Sequence, residues 1–543
     1  MSTVPPAGPL PPESSPALSA AVETAETEAR APAAAPWPRP ARAATPLLLA
    51  GGLGLAAYLL TSGTGAAGAN LPVWLALLAG ASVWAARRGG QTPSREGVTL
   101  LGLAVAFGLT FALWAAPPEL ALLNALGLLT SLTLGASFLR FPGLGQAGAG
   151  TLLGTLVTGG LRALYAPFLL LERFPWTVLR PAAAQGRQLS RVGVGLALSA
   201  PLLLVFGALL ASADAGFAGA LERLWRPGAG LGEMVNAGGQ WLFWSFLAAG
   251  LLYPALMALR PTLLPLPTRE GRLGLVEVGL PLSALGLLFV TFAALQVPAL
   301  LGGGLPDGET YAAYIRRGFS ELMTVAFLTL SVLLIAHGLS APRIRTGWAY
   351  RALNAAVLVP LLIILASAAQ RWGLYTQAYG LSSIRVLGAA FLLWVTVTLV
   401  WLALLLWHGR TERFAYPALL LGLATLLTTT ALNPGALIAR ANLHRQTAGV
   451  TNELRSTPQR ANVRDLLELG AGAVPTVVAN LDALVPGCGP NENCLTTQNV
   501  IDDLHDRYDA PRDLRAWNLA YARAHALVRT LPPRSPYDRS ASD

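Results

Sequence analysis

The chain has 543 residues, 54% hydrophobic and only 12% charged, where soluble globular proteins carry about 25% charged residues. Its formal charge is +10, but the surplus lies in short loops between long apolar runs, where it reports orientation in a bilayer rather than a nucleic-acid partner. Composition excludes a soluble enzyme, and the absence of any Lys excludes a Walker A phosphate loop and Schiff-base or pyridoxal chemistry.

Residues 1–44 are rich in Pro, Ala, Ser and Glu and read as a disordered cytoplasmic tail. They make a poor signal peptide, because Glu13, Glu23, Glu26 and Glu28 precede the first apolar run. Residues 45–432 read as a transmembrane helical domain. Its apolar segments are Pro46–Ser62, Leu71–Ala86, Val98–Ala116, Leu120–Leu139, Val192–Ser212, Trp241–Leu259, Val278–Leu301, Leu322–Leu339, Leu353–Ala369, Val386–Trp407 and Phe414–Leu432. Each is near the ~20 residues a helix needs to cross the hydrocarbon core. The runs are continuous rather than alternating, which indicates helices and not a barrel. The expected fold is an all-α integral membrane protein of about eleven transmembrane helices with a small helical C-terminal domain outside the membrane.

The run over 152–171 carries Arg162 at its centre and is expected to lie in the interface, since a centred Arg costs ~3 kcal/mol on the insertion scale. With the N-terminus cytoplasmic, the inside loops hold Arg87, Arg88 and Arg95, then Arg140 to Arg191, Arg260 to Arg272, Arg343 to Arg351, and Arg410 with Arg413. The outside loops near Gly63–Asn70 and Pro117–Glu119 hold none. That alternation follows the positive-inside rule and puts the C-terminus outside an inner membrane. Gly143–Gly150 reads as a flexible cytoplasmic loop, and Gly51, Gly52, Gly102 and Gly108 as close-packing positions between helices.

Residues 433–543 are polar and read as an extracytoplasmic helical domain. Leu514, Trp517, Tyr521, Ala524, Val528 and Leu531 recur at helical spacing, and Val463–Val485 reads similarly with a break at Pro475. Cys488 and Cys494 frame a Gly-Pro turn; outside the membrane they are expected to pair as a disulfide. No metal site and no cofactor is expected. Asp502, Asp503 and Asp506 read as a solvated helix face.

Several arginines break the charge rule. Arg223, Arg226, Arg316, Arg317, Arg371 and Arg385 fall in outside loops. Together with Arg440, they accompany the most distinctive polar groups of the chain. The candidate ligand-binding cluster comprises Asp214, Tyr311, Tyr314, Arg316, Arg317, Glu321, Arg371, Tyr375, Tyr379, Arg385, Asn433, Arg440 and Asn442. Arg presents a planar fork to oxyanions, with Asp214 and Glu321 as counter-charges and the tyrosines as walls with hydroxyl donors. The competing reading is that these groups snorkel or tie helix ends together.

The pieces Ala211-Ser-Ala-Asp214, Tyr314-Ile-Arg-Arg-Gly-Phe319 with Glu321, Tyr379-Gly-Leu-Ser with Arg385, Asn433-Pro434 with Arg440 and Asn442, Ala473-Val-Pro475, and Trp517-Asn-Leu-Ala with Arg523-Ala occur in this order. In this the chain resembles a bacterial multipass membrane family, domain of unknown function 4173, related to family 4153. Gly435, Ala441 and Ser320 depart from the pattern. The resemblance implies a multipass membrane protein and brings no activity or substrate with it.

The expected function is sensing, scaffolding or ligand binding through the outside cluster rather than enzyme catalysis. The expected partners are membrane lipids, an anionic ligand or headgroup, and an extracytoplasmic protein that meets the tail. Two alternatives stand beside it: a transporter whose helices break at Pro201, Pro254, Pro281 or Pro360, and a membrane enzyme on lipid-linked or envelope substrates with Asp214 or Glu321 as acid or base.

Overall fold

The structure, a computed structural model, describes residues 45–90, 92–114, 117–140, 143–172, 229–257, 273–300, 319–447, 463–485 and 496–534. The described residues are helical, apart from turns and one isolated bridge between Leu273 and Ser340. The long helices are α1 (Thr45–Thr61), α2 (Asn70–Arg88), α3 (Arg95–Leu113), α4 (Pro118–Phe138), α5 (Ala149–Glu172), α6 (Ala229–Met257), α7 (Leu275–Leu300), α8 (Phe319–Leu339), α9 (Trp348–Tyr379), α10 (Ser383–His408) and α11 (Ala415–Ala431). The C-terminal region continues with α12 (Pro434–Thr447), α13 (Val463–Glu468), α14 (Val474–Val478), α15 (Leu481–Leu484), α16 (Thr497–Tyr508) and α17 (Leu519–Val528).

Among the described residues, 8 helices are long and apolar enough to cross a membrane, namely α3, α4, α5 and α7 to α11. Their outer faces make the same point. On α7, Val276, Leu280, Leu287 and Leu295 are all exposed, a contiguous apolar surface that only lipid or a partner covers. The segment expected at Val192–Ser212 lies outside the described residues.

Inside the bundle, Phe107, Leu75, Leu78 and Leu100 form a close-packed core with α4 and α6. Of the glycines expected at helix contacts, Gly108 does abut Leu75 and Pro72, while Gly52 and Gly102 face open space. Closer approaches lie elsewhere, as at Gly54, where an added Cβ would sit 2.6 Å from the Ser245 backbone nitrogen. Small residues let helix backbones approach, but their neighbours decide which ones are used.

Arg87 and Arg88 close α2, Arg95 opens α3 and Arg140 follows α4. Arg140 donates to the Ala85 carbonyl at 3.0 Å, and burial holds its guanidinium below its ordinary pKa. Ser94 caps α3 and donates to the Phe138 carbonyl at 2.6 Å, fastening the start of α3 to the end of α4. The Glu96 carboxylate accepts from the backbone N–H groups of Gly143, Leu144 and Gly145. The glycine-rich stretch expected to be a flexible loop is therefore held there, and it leads into α5 at Ala149.

Three further expectations change. Gln370–Tyr379 is not a loop: α9 runs unbroken for 32 residues, and only Gly380–Ser382 turn the chain into α10. Pro254, Pro281 and Pro360 lie inside continuous helices; Pro201 is outside the described residues. The periodic run from Leu514 to Leu531 is split, because Asn518 caps a new helix by accepting from the Tyr521 N–H at 3.0 Å. Ala524 and Val528 face inward, whereas Leu514 is 84% exposed. Pro475 stands in the first turn of α14, so the 463–485 stretch forms three short helices.

Candidate functional site

The C-terminal region packs around its own apolar cluster, in which Leu443, Leu466, Val474, Val500, Leu504 and Ala524 are buried. It fastens to the ends of the long helices chiefly through their backbone carbonyls. Arg515 donates to the Leu59 carbonyl near the end of α1 at 2.6 Å. Asn518 donates to the Phe111 carbonyl near the end of α3 at 2.8 Å. The Trp517 carbonyl accepts from the Ala69 N–H just before α2.

The same logic governs the end of α9. Arg445 donates to the carbonyls of Thr376, at 3.2 Å, and of Gln377. Asn442 grips Leu381 twice, accepting its N–H at 2.7 Å and donating to its carbonyl at 2.9 Å. Arg385 donates to the carbonyls of Tyr379 and Gly380 at 2.9 and 2.7 Å. The last carbonyls of a helix have no intrahelical partner and carry the negative end of its dipole, so guanidinium groups suit them. Burial, with Arg385 nearby, pulls the Arg445 guanidinium below its ordinary pKa.

Arg371, Tyr375 and Tyr379 stand four residues apart on α9 and so share one face. Arg371 is 7% exposed. The Tyr375 and Tyr379 rings lie 5.0 Å apart, and the Arg385 guanidinium sits 4.3 Å from the Tyr375 ring centre. This part of the expected cluster ties helix ends together. Glu321 is exposed in the first turn of α8. Asp214, Tyr311, Tyr314, Arg316, Arg317, Cys488 and Cys494 lie outside the described residues.

Two expected residues lead elsewhere. Asn433 is the non-glycine residue with positive φ among the described ones, at 51°. Its side-chain oxygen accepts from the Ala436 N–H at 3.4 Å, turning the chain from α11 into α12. Asn433 and Arg440 line a cleft of about 400 Å³ with Trp114, Gly472, Thr476 and Arg523. Trp114 follows the last residue of α3, and the Arg523 guanidinium sits 5.9 Å from its ring centre. The Trp114 Nε1 is buried without a hydrogen-bond partner. Neither Arg440 nor Arg523 makes a hydrogen bond or ion pair to a described residue, and no acidic side chain lines the cleft.

Sequence reasoning missed Trp114 and Arg523 as site residues. A Trp at the end of an apolar run reads as an interface anchor, and Arg523 lies more than eighty residues from Arg440. The acidic residues of α16 behave as a solvated face: Asp503 pairs with Arg507 at 2.9 Å, and Asp506 with Arg534. Among the described residues no three His, Cys, Asp or Glu side chains are grouped to hold a metal.

A cleft lined by two guanidinium groups that make no hydrogen bond to a described residue, and by an unpaired indole N–H, has the donors for an oxyanion. The model of the family described as Domain of unknown function (DUF4153) matches residues 100–479, so the chain belongs to that family. The family's description names no activity, and the 8 long apolar helices among the described residues fit a multipass membrane protein. The relation shown is to family 4153; the finer resemblance to family 4173 is not. No curated protein and no solved structure matches the chain.

Proposed function

We propose that this protein is a non-catalytic membrane receptor or scaffold that binds an anionic group in the cleft between the helix ends and the C-terminal region. The observation that carries the reading is the pair Arg440 and Arg523: both line one cleft, and neither makes a hydrogen bond or ion pair to a described residue. The arginine alternation supports about eleven spans in an inner membrane, with residues 1–44 cytoplasmic, the helix over 152–171 in the interface and residues 433–543 outside. Phe111 and Trp114 adjoin the C-terminal region at the end of α3 opposite Arg95, which supports the same sidedness. An extracytoplasmic protein partner would meet the free surface of α16 and α17, and a Cys488–Cys494 disulfide is proposed for that compartment.

The test is a thermal-shift series on the full chain in detergent, with inorganic phosphate and acetate added against chloride. Stabilisation by an oxyanion in wild type, abolished by Arg440→Gln with Arg523→Gln, is the expected outcome. Stabilisation of equal size in wild type and double variant removes the reading. Sidedness is checked by protease added to sealed vesicles of known orientation; cleavage of the C-terminal region from the cytoplasmic side reverses it.

A further inference from the structure

The cleft stands at the edge of the apolar part of the bundle. Trp114 directly follows Leu113, the last residue of one helix long enough to cross a membrane, and Asn433 stands two residues past Ala431, the last of another. The neighbours of the lining residues are large hydrophobics left exposed: Leu113 before Trp114, Leu432 before Asn433, and Leu437 after Ala436. On the C-terminal region, Leu514 and Trp517 are likewise exposed, beside the Arg515 that grips α1. Exposed apolar side chains therefore adjoin a cavity whose lining offers cationic and N–H donors.

A site for a free anion needs no apolar rim. Interfacial Trp residues sit where one end of the ring is apolar and the other polar, and Trp114 has a buried N–H with no partner. A buried donor left without an acceptor is costly, and a ligand oxygen there removes that cost. From this juxtaposition we infer that the ligand is an amphiphile. Its phosphate or carboxylate head would sit between Arg440 and Arg523, with an oxygen accepting from Trp114 Nε1, and its hydrocarbon would leave past Leu113 and Leu432 into the bilayer. The inference rests on the anion-binding reading above and adds the membrane as the source of the anion.

The experiment uses the full chain in detergent and phosphatidylglycerol with brominated acyl chains, which quenches nearby tryptophan emission. Phosphatidylcholine with the same chains is the neutral control, and inorganic phosphate is the competitor. The expected result is saturable quenching by phosphatidylglycerol, weaker for phosphatidylcholine and relieved by phosphate only in large excess, because the free anion competes for the same arginines without the hydrocarbon contacts. Arg440→Gln and Arg523→Gln each weaken it by about tenfold or more, the loss of a charge-assisted hydrogen bond. Trp114→Phe lowers the quenchable emission. Quenching no stronger with phosphatidylglycerol than with phosphatidylcholine, while phosphate still stabilises wild type and not the double variant, overturns the amphiphile and leaves the anion site standing. Indifference of both probes to both arginines overturns the two together.

Discussion

Arg385, Arg445 and Arg515 differ from Arg440 and Arg523 in what the protein has already given them to do. The first three donate to carbonyls at or near the ends of α9 and α1. The other two line a cleft and meet no acceptor among the described residues. Of the first three, Arg385 breaks the expected charge pattern of a membrane protein, yet a helix C-terminus accounts for it and for Arg445 and Arg515 without any ligand. An arginine on the unexpected side is thus informative about ligands only after the helix ends have been counted, and that count leaves Arg440 and Arg523 facing the cleft.

Mutations that strike the first set should destabilise, and those that strike the second should not. The largest effect is expected at Asn442→Ala, which strips both polar groups of Leu381 of their partner. A loss of about 2–3 kcal/mol should appear as earlier release of the C-terminal region in limited proteolysis; a release time equal to wild type contradicts the clamp. Gly380→Ala comes next. Its φ is 75° and a Cβ there would lie 2.5 Å from the Asn442 side-chain oxygen, so a cost of about 2 kcal/mol is expected in thermal denaturation.

Asn518→Ala removes a helix cap and the bond to Phe111 together, and should cost about 1–2 kcal/mol on the same assay. Acid comes after these. The hydrogen bonds from Arg515 hold the exposed Asp513 carboxylate below its ordinary range. A depressed folded-state pKa contributes stability above the unfolded value and loses it as pH falls through the folded one. Docking at α1 should loosen slightly at low pH in wild type, and Asp513→Asn should remove that pH dependence. Smallest of all, Arg440→Gln with Arg523→Gln should leave stability within about 0.5 kcal/mol of wild type. A larger loss would mean that these two side chains also support the fold.

Much of the architecture was legible because its cause is local. Continuous apolar runs predict helices wherever the chain is described. What was not legible was long-range. Gln370–Tyr379 looked like a loop because it is polar and aromatic, but helices continue past the hydrocarbon when something receives them, and here α12 does. The repeat of Arg371, Tyr375 and Tyr379 at four-residue spacing was the available signal. The cleft was half visible: Asn433 and Arg440 were named, whereas Trp114 and Arg523 join them only through the folding of α14 and α17. Glycines were misjudged for the same reason, since Gly54 and Gly52 look alike until Ser245 arrives beside one of them.

The joint between the C-terminal region and the long helices has a directional character. Most of its donors are side chains, of Arg515, Asn518, Asn442 and Arg445, and the acceptors they meet are main-chain oxygens of Leu59, Phe111, Leu381, Thr376 and Gln377. Every residue type presents that oxygen. In a saturation scan the donor positions should therefore be intolerant, while the receiving positions accept most residues that keep the helix, so that one side of the seam is free to drift while the other is held fixed.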